Sequence, residues 1–283
     1  MAPGPVVQAV KTTTIMPPPL KDDQDKDVHE VKWPLFSSSK KVPLYTEVKQ
    51  TSIPNCPVAA ILAALASNPA GRAVINRIMD SETAGNVLTD ISGLPSGTLT
   101  NPPMDTTTKP PKPITMISSS RYFTVKLNNG SIVVSDVLYT NDGAGTSWSL
   151  LYLQDPSEHS IWAGIIEKAV AVRLKSYQSF MDVDLKANDF WEILTGVKPD
   201  GFKIENDTPL DKIIAAAKAA TTVPTIGASK PDSTDVKVVE EFHGYAILGL
   251  QGSNIRLYNP HGKEVLISPA DFRHDFQVIL FHK

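Results

Sequence analysis

The chain has 283 residues, 41% of them hydrophobic, a formal net charge of −3 and a pI near 6.1. That is enough apolar content for one large domain or two lobes, and too little positive charge to draw the chain toward nucleic acid or an anionic membrane. A single cysteine excludes an internal disulfide framework and a cysteine-based metal cluster, and no run reaches the roughly 18 apolar residues of a membrane span.

Residues 1–32 read as a flexible tail, Pro-rich at Met16-Pro17-Pro18-Pro19 and charged from Lys21 to Asp27. Neither stretch buries enough apolar area to offset its ordering entropy. The N-terminus lacks the basic start and apolar block of a secretory signal. The lone cysteine suits a reducing compartment, so the cytoplasm and export without a Sec signal both stay open. Trp33-Pro34-Leu35-Phe36 is the first stretch with apolar content worth burying, and the folded part is expected to start there.

Cys56 follows Pro54-Asn55 and opens the small apolar run Pro57 to Leu65, which predicts a helix with proline in its first turn. A second, amphipathic helix is expected over Ala70 to Met79, after a break at Asn68-Pro69. Residues 95–113 hold six of the 23 prolines and read as a surface loop open to nicking. Arg121–Leu127 and Ser131–Leu138 flank Asn128-Asn129-Gly130, a hairpin signal, and Asn141 to Gly145 marks another turn. Ile161 to Val172 carries an apolar stripe beside polar Glu167, Lys168 and Arg173. Short helices are expected over Leu185–Gly196 and from Thr208, as N-cap with Pro209 first, to Ala220. The remainder is β-rich: Val236 to Leu250, a turn at Gln251–Asn254, a return through Lys263, and a last strand over Phe276–Phe281. The expected class is α+β in two lobes, with a helical lobe over 33–180 and a β-rich lobe over 181–283.

A thiol nucleophile needs a base for its proton and a third group to hold the imidazole. Cys56 at a helix N-terminus gains a dipole and free N–H groups that favour the thiolate. Gln50, six residues earlier, offers a side-chain donor for an oxyanion. On the opposite half of the chain, His243 is placed on a strand, and Asn259 lies just beyond a hairpin turn. Adjacent antiparallel strands bring residues so separated to neighbouring positions. The six histidines show no helical i, i+4 spacing of a zinc site, and no glycine loop cradles phosphate.

Gln50 through Leu65 resembles the glutamine-to-cysteine segment of the calpain family of cysteine peptidases. His243-Gly244-Tyr245-Ala246-Ile247 resembles that family's histidine strand, and Ile255 through Gly262 its Asn-Pro-aromatic-Gly strand. Ile132–Tyr139, Trp162–Ala169 and Ser268–Phe276 follow in family order, so the likeness runs over residues 33–283. It implies a two-lobed papain-like fold with Cys56 as nucleophile, His243 as general base and then acid, Asn259 as orienter and Gln50 as oxyanion donor. The Cys56 N–H would be the second donor. Three positions depart from the pattern: Pro57 stands where an aromatic follows the cysteine, Asn55 where an acidic or small polar residue precedes it, and His261 where an indole shields the triad. The acidic calcium-binding loops are not recognisable, so no cofactor is expected and calcium dependence is not carried over.

The implied function is a thiol endopeptidase acting on protein or peptide substrates, self-processing or an effector or toxin. A transglutaminase or acyltransferase would use the same triad with an amine acceptor, and a degenerate peptide-binding scaffold would lack catalysis altogether. No nucleic-acid partner and no membrane span are expected.

Overall fold

Twelve residues without a polar face form helix α1 (Cys56–Ser67). Such a helix must be covered on all sides, and Val58 through Ala66 are completely buried. Each large aliphatic among them (Ile61, Leu62, Leu65) contributes about 1.5–3 kcal/mol by leaving water. Proline sits in the first turn, as the sequence implies. Asn68 ends α1 and caps α2 (Pro69–Ile78), its side-chain oxygen accepting from the Gly71 N–H at 2.9 Å. The break at Asn68-Pro69 is therefore also a helix start.

The computed structural model describes residues 19, 21–24, 26–37, 42–51, 53–79, 104–105, 112–113, 121–128, 130–142, 148–157, 159–182, 186–231 and 239–282. The Met16–Pro18 patch, the 143–145 turn, the 236–238 run and most of the 95–113 loop lie outside them. Within that loop, strands β2 (Met104–Asp105) and β3 (Lys112–Pro113) pair.

The class is α+β. Around α1 gather α2, the hairpin β4 (Tyr122–Leu127) and β5 (Gly130–Ser135), α3 (Trp162–Leu174), the short α4 (Ser179–Asp182) and α5 (Ala187–Thr195). A three-stranded sheet of β1 (Val28–Glu30), β6 (Val137–Asp142) and β7 (Trp148–Leu150) joins them. Folded structure thus begins before Trp33: β1 pairs with β6, and Val31 is wholly buried. The expected single strand over 131–138 is instead two, broken at Asp136. There the buried carboxylate takes the Arg121 Nε–H at 2.7 Å and the Arg121 backbone N–H at 3.1 Å.

The largest sheet is antiparallel throughout, in the order β12 (Lys263–Ile267), β11 (Asn254–Asn259), β10 (Gly244–Gln251), β9 (Thr225–Ser229), β13 (Phe276–Phe281), β8 (Asp200–Lys203). Its side chains alternate as strand geometry requires. Ala246, Tyr258 and Ile226 enter the core around α1, while Tyr245, Ile247, Leu257 and Ile255 enter a second core with α6 (Leu210–Ala219) and α7 (Pro269–Asp275). The first core also takes in Phe190, Trp191 and Leu194 of α5. The core around α1 therefore extends past residue 180. Helix α6 begins one position after the expected Pro209, because the Thr208 hydroxyl accepts from the Glu205 N–H at 2.8 Å instead of capping the helix. Among the described residues, no single helix is long and apolar enough to cross a membrane.

Candidate active site

Cys56 is the first residue of α1, where the chain turns in from Ile53. The turn is fixed by side chains the sequence left unassigned. Asn55 is buried and donates through Nδ2 to Glu167 Oε1 on α3, and Glu167 Oε2 accepts from the Leu153 N–H at 3.0 Å. Glu167 and its neighbour Lys168, read from the sequence as a polar flank, are both buried. Lys168 donates to the carbonyls of Ser135 and Val137 and to the Ser135 hydroxyl, at 2.7–3.0 Å. Burial pushes the Glu167 carboxyl up to about 8. Burial likewise pulls Lys168 down to about 7, against the attraction of Asp136.

On the other side, His243 lies in the turn just before β10, not on the strand itself. Ser229, at the end of β9, pins that turn. Its hydroxyl accepts from the His243 N–H at 2.8 Å and donates to the Glu240 carbonyl at 2.6 Å, while its own N–H donates to the His243 carbonyl. Phe242 is exposed and adopts a left-handed conformation (φ +48°), rare for a bulky residue.

His243 and Asn259 meet. The imidazole Nε2 and the amide Oδ1 are 3.0 Å apart, both residues buried. A bulge makes this possible. The β10–β11 register shifts between Ile247 and Gly249, after which Ala246 faces Tyr258. Carried on, that register sets Tyr245 opposite Asn259 and His243 opposite His261, so all four share one side. Without the extra residue, Ala246 would fall opposite Asn259, and Tyr245 and His243 would point to the other face. The contacts agree: the His261 ring stacks on His243 (centroids 5.0 Å, 14° between planes), and Tyr245 meets His243 edge-on at 5.1 Å.

Two further residues complete the cluster. Glu240 Oε1 accepts from Asn259 Nδ2 at 2.8 Å, which leaves the amide oxygen turned to His243, and Glu240 Oε2 lies 3.2 Å from His261 Nε2. The Tyr245 hydroxyl accepts from the Glu240 N–H at 2.7 Å. Glu240 precedes the histidine by three residues in no recognisable pattern, which is why sequence reading passed over it.

Cys56 reaches this cluster through the residues flanking His243. Its thiol donates to the Phe242 carbonyl at 3.8 Å. Gly244 packs on the Cys56 backbone so closely that a Cβ there would stand 3.2 Å from the Cys56 carbonyl oxygen and from Ala60 Cβ. Since the thiol's bond goes to Phe242, transfer of its proton to the imidazole requires it to leave that carbonyl.

The electrostatics differ from what a helix N-terminus alone implies. Burial pushes the Cys56 thiol up; the Gly244 N–H opposes this, the Glu240 carboxylate adds to it, and the Cys56 N–H opposes it again. Burial pulls His243 down, against the Glu240 charge and the Asn259 bond, and His261 lowers it further. Both shifts favour an uncharged thiol beside an uncharged imidazole. The expectation of a lowered thiol is overturned by desolvation.

Gln50 is brought to the same end of the sheet, its N–H donating to the Pro260 carbonyl at 2.7 Å. Its side-chain amide is engaged locally, with Nε2 donating to the Ile53 carbonyl at 2.6 Å, and Oε1 is buried without a hydrogen-bond partner. A cavity of about 580 Å³, lined by Asn206, Lys230, Ala270, Arg273 and His274, includes none of these groups.

No protein-family model matches the chain, and no curated protein matches it.

Proposed function

We propose that the chain is a thiol endopeptidase of the calpain-like, papain-type plan, working through Cys56, His243 and Asn259. The observation that carries this reading is the 3.0 Å His243–Asn259 bond, held beside a cysteine that opens a buried helix. In this reading Asn259 fixes the imidazole by its Nε2 side, with Glu240 holding the amide in turn. His243, neutral at rest, acts as a general base rather than as half of a standing ion pair. It takes the Cys56 proton as the sulfur attacks a peptide carbonyl. The tetrahedral oxyanion is met by the Cys56 N–H and, once released from Ile53, by Gln50 Nε2. His243 returns the proton to the leaving amine, and water then hydrolyses the thioacyl intermediate. His261 covers one face of the imidazole, where the family's indole would lie.

A catalytically silent peptide-binding domain is the second reading. It is favoured by the raised thiol and by the commitment of the Gln50 amide to Ile53.

Mass spectrometry of a peptide mixture incubated with the protein, its Cys56→Ala variant or the protein treated with an epoxide thiol inhibitor separates the two. Each is run with and without calcium. Cleavage by the untreated protein alone, with epoxide mass on Cys56, is expected. Transfer to an added amine instead of water would mark an acyltransferase, and intact peptides with unlabelled Cys56 would leave the silent domain.

A further inference from the structure

Glu240, His243 and His261 present two imidazole nitrogens and one carboxylate oxygen that all lie within 4.8 Å of one another. Two of the three already stand at a ligand-to-ligand distance. His261 Nε2 and Glu240 Oε2 are 3.2 Å apart, close to the roughly 3.3 Å edge of a tetrahedron with zinc bonds of about 2.0–2.1 Å. Both side chains are well exposed, which gives an ion a path in and lets the His261 ring, stacked on His243, turn until both imidazoles meet the ion edge-on. The surroundings hold the three in place: Asn259 Nδ2 donates to the other Glu240 oxygen, Asn259 Oδ1 accepts from the His261 backbone N–H at 2.9 Å, and Ser229 fixes the His243 backbone.

We propose that Glu240, His243 and His261 form a binding site for a zinc-class divalent cation, and that metal occupancy and thiol chemistry exclude one another because both need His243. Two imidazoles and one carboxylate suit zinc, copper or nickel. They do not suit calcium or magnesium, which take all-oxygen shells. The ion completes its shell with water, as three-ligand sites do. A metal on His243 removes the lone pair that would take the Cys56 proton, so the site is a brake on the peptidase. This second half rests on the function proposed above; the binding half does not.

The test is calorimetric titration of zinc chloride into the full chain after removal of metals with a chelator. One ion per chain is expected. His261→Ala and Glu240→Gln should each weaken binding by roughly ten- to a hundred-fold or more. His274→Ala, which removes a histidine paired with Asp275 instead, should leave binding unchanged, as should Cys56→Ser. Binding unaltered in His261→Ala, or abolished in Cys56→Ser, overturns the site. A parallel measurement follows Cys56 alkylation by iodoacetamide with and without saturating zinc. Slowing of about ten-fold or more in the parent, absent in His261→Ala, is expected, and equal rates overturn the exclusion. Stoichiometric binding that His261→Ala removes supports the site even should no peptide be cleaved. Cleavage without zinc binding overturns the site and leaves the peptidase reading standing.

Discussion

The two sides of the candidate site are built by different means. The Cys56 side rests on a helix with no alternative: α1 is apolar all round, buried from Val58 through Ala66, and carries Pro57 in its first turn. The His243 side rests on register. One bulged residue in β10 decides whether the His243 segment turns to the face that Asn259 occupies or to the opposite one. Cys56 is therefore placed by burial and His243 by pairing, and burial also pushes the thiol pKa up. Secure placement and chemical activation oppose each other on the cysteine side. The imidazole cluster, open to water through Glu240 and His261, carries the charges that adjust both.

That contrast is broken most severely at the cysteine: on the proposed function, Cys56→Ala should cost on the order of a million-fold in kcat, read by peptide turnover. Next, Asn259→Ala removes the orienter and frees Glu240. A loss of roughly a hundred-fold or more in kcat with little change in KM is expected, and a change confined to KM would place Asn259 in substrate binding. Third, Gly244→Ala presses a methyl group between β10 and α1 at 3.2 Å from two atoms. It should cost about 1–3 kcal/mol by chemical denaturation and, on the proposed function, reduce the Cys56 alkylation rate by shifting His243 away from Cys56. Fourth, Glu240→Gln withdraws a charge that raises the thiol. The pH profile of Cys56 alkylation should shift to lower pH than in the parent; an unchanged profile would exclude Glu240 as an influence.

The smallest effect sharpens the cysteine side through its support. Burial holds the folded Glu167 carboxyl up at about 8 against a usual 4.5. In that window the folded state binds more protons than the unfolded one, so Glu167 removes stability as pH rises from about 4.5 to about 8. Lys168, lowered to about 7, acts with the opposite sign above that pH. Glu167→Gln should therefore flatten the fall in melting temperature between pH 5 and 7, measured by calorimetry; an identical fall would show that Glu167 is not its source.

Much of this arrangement is written locally. Pro57 after Cys56 marks the helix start, and the separation of His243 from Asn259 across Gln251–Asn254 marks a hairpin. What escapes a linear reading is whatever depends on packing. The bulge that puts the His243 segment on the same face as Asn259 has no sequence signature beyond Gly249, which takes φ +126° there. Glu167 and Lys168 look like a solvent face because polar residues usually are one, yet α3 is covered on that side and finds them partners. Strand β9 is short and small-residued for a similar reason: a Cβ at Gly227 would meet the Phe276 ring at 2.9 Å. The sign of the thiol's shift is likewise a property of burial, which competes with the helix terminus and prevails.

The account stands most directly on whether His243 acts on Cys56. The decisive measurement is the rate at which a peptidyl epoxide modifies Cys56, located by tandem mass spectrometry, in the parent protein, His243→Ala and Asn259→Ala. The triad predicts modification at Cys56 in the parent, slowed by roughly a hundred-fold or more without the imidazole and to a lesser degree without the amide. Equal rates in all three proteins would mean that the imidazole and the thiol are neighbours without being partners.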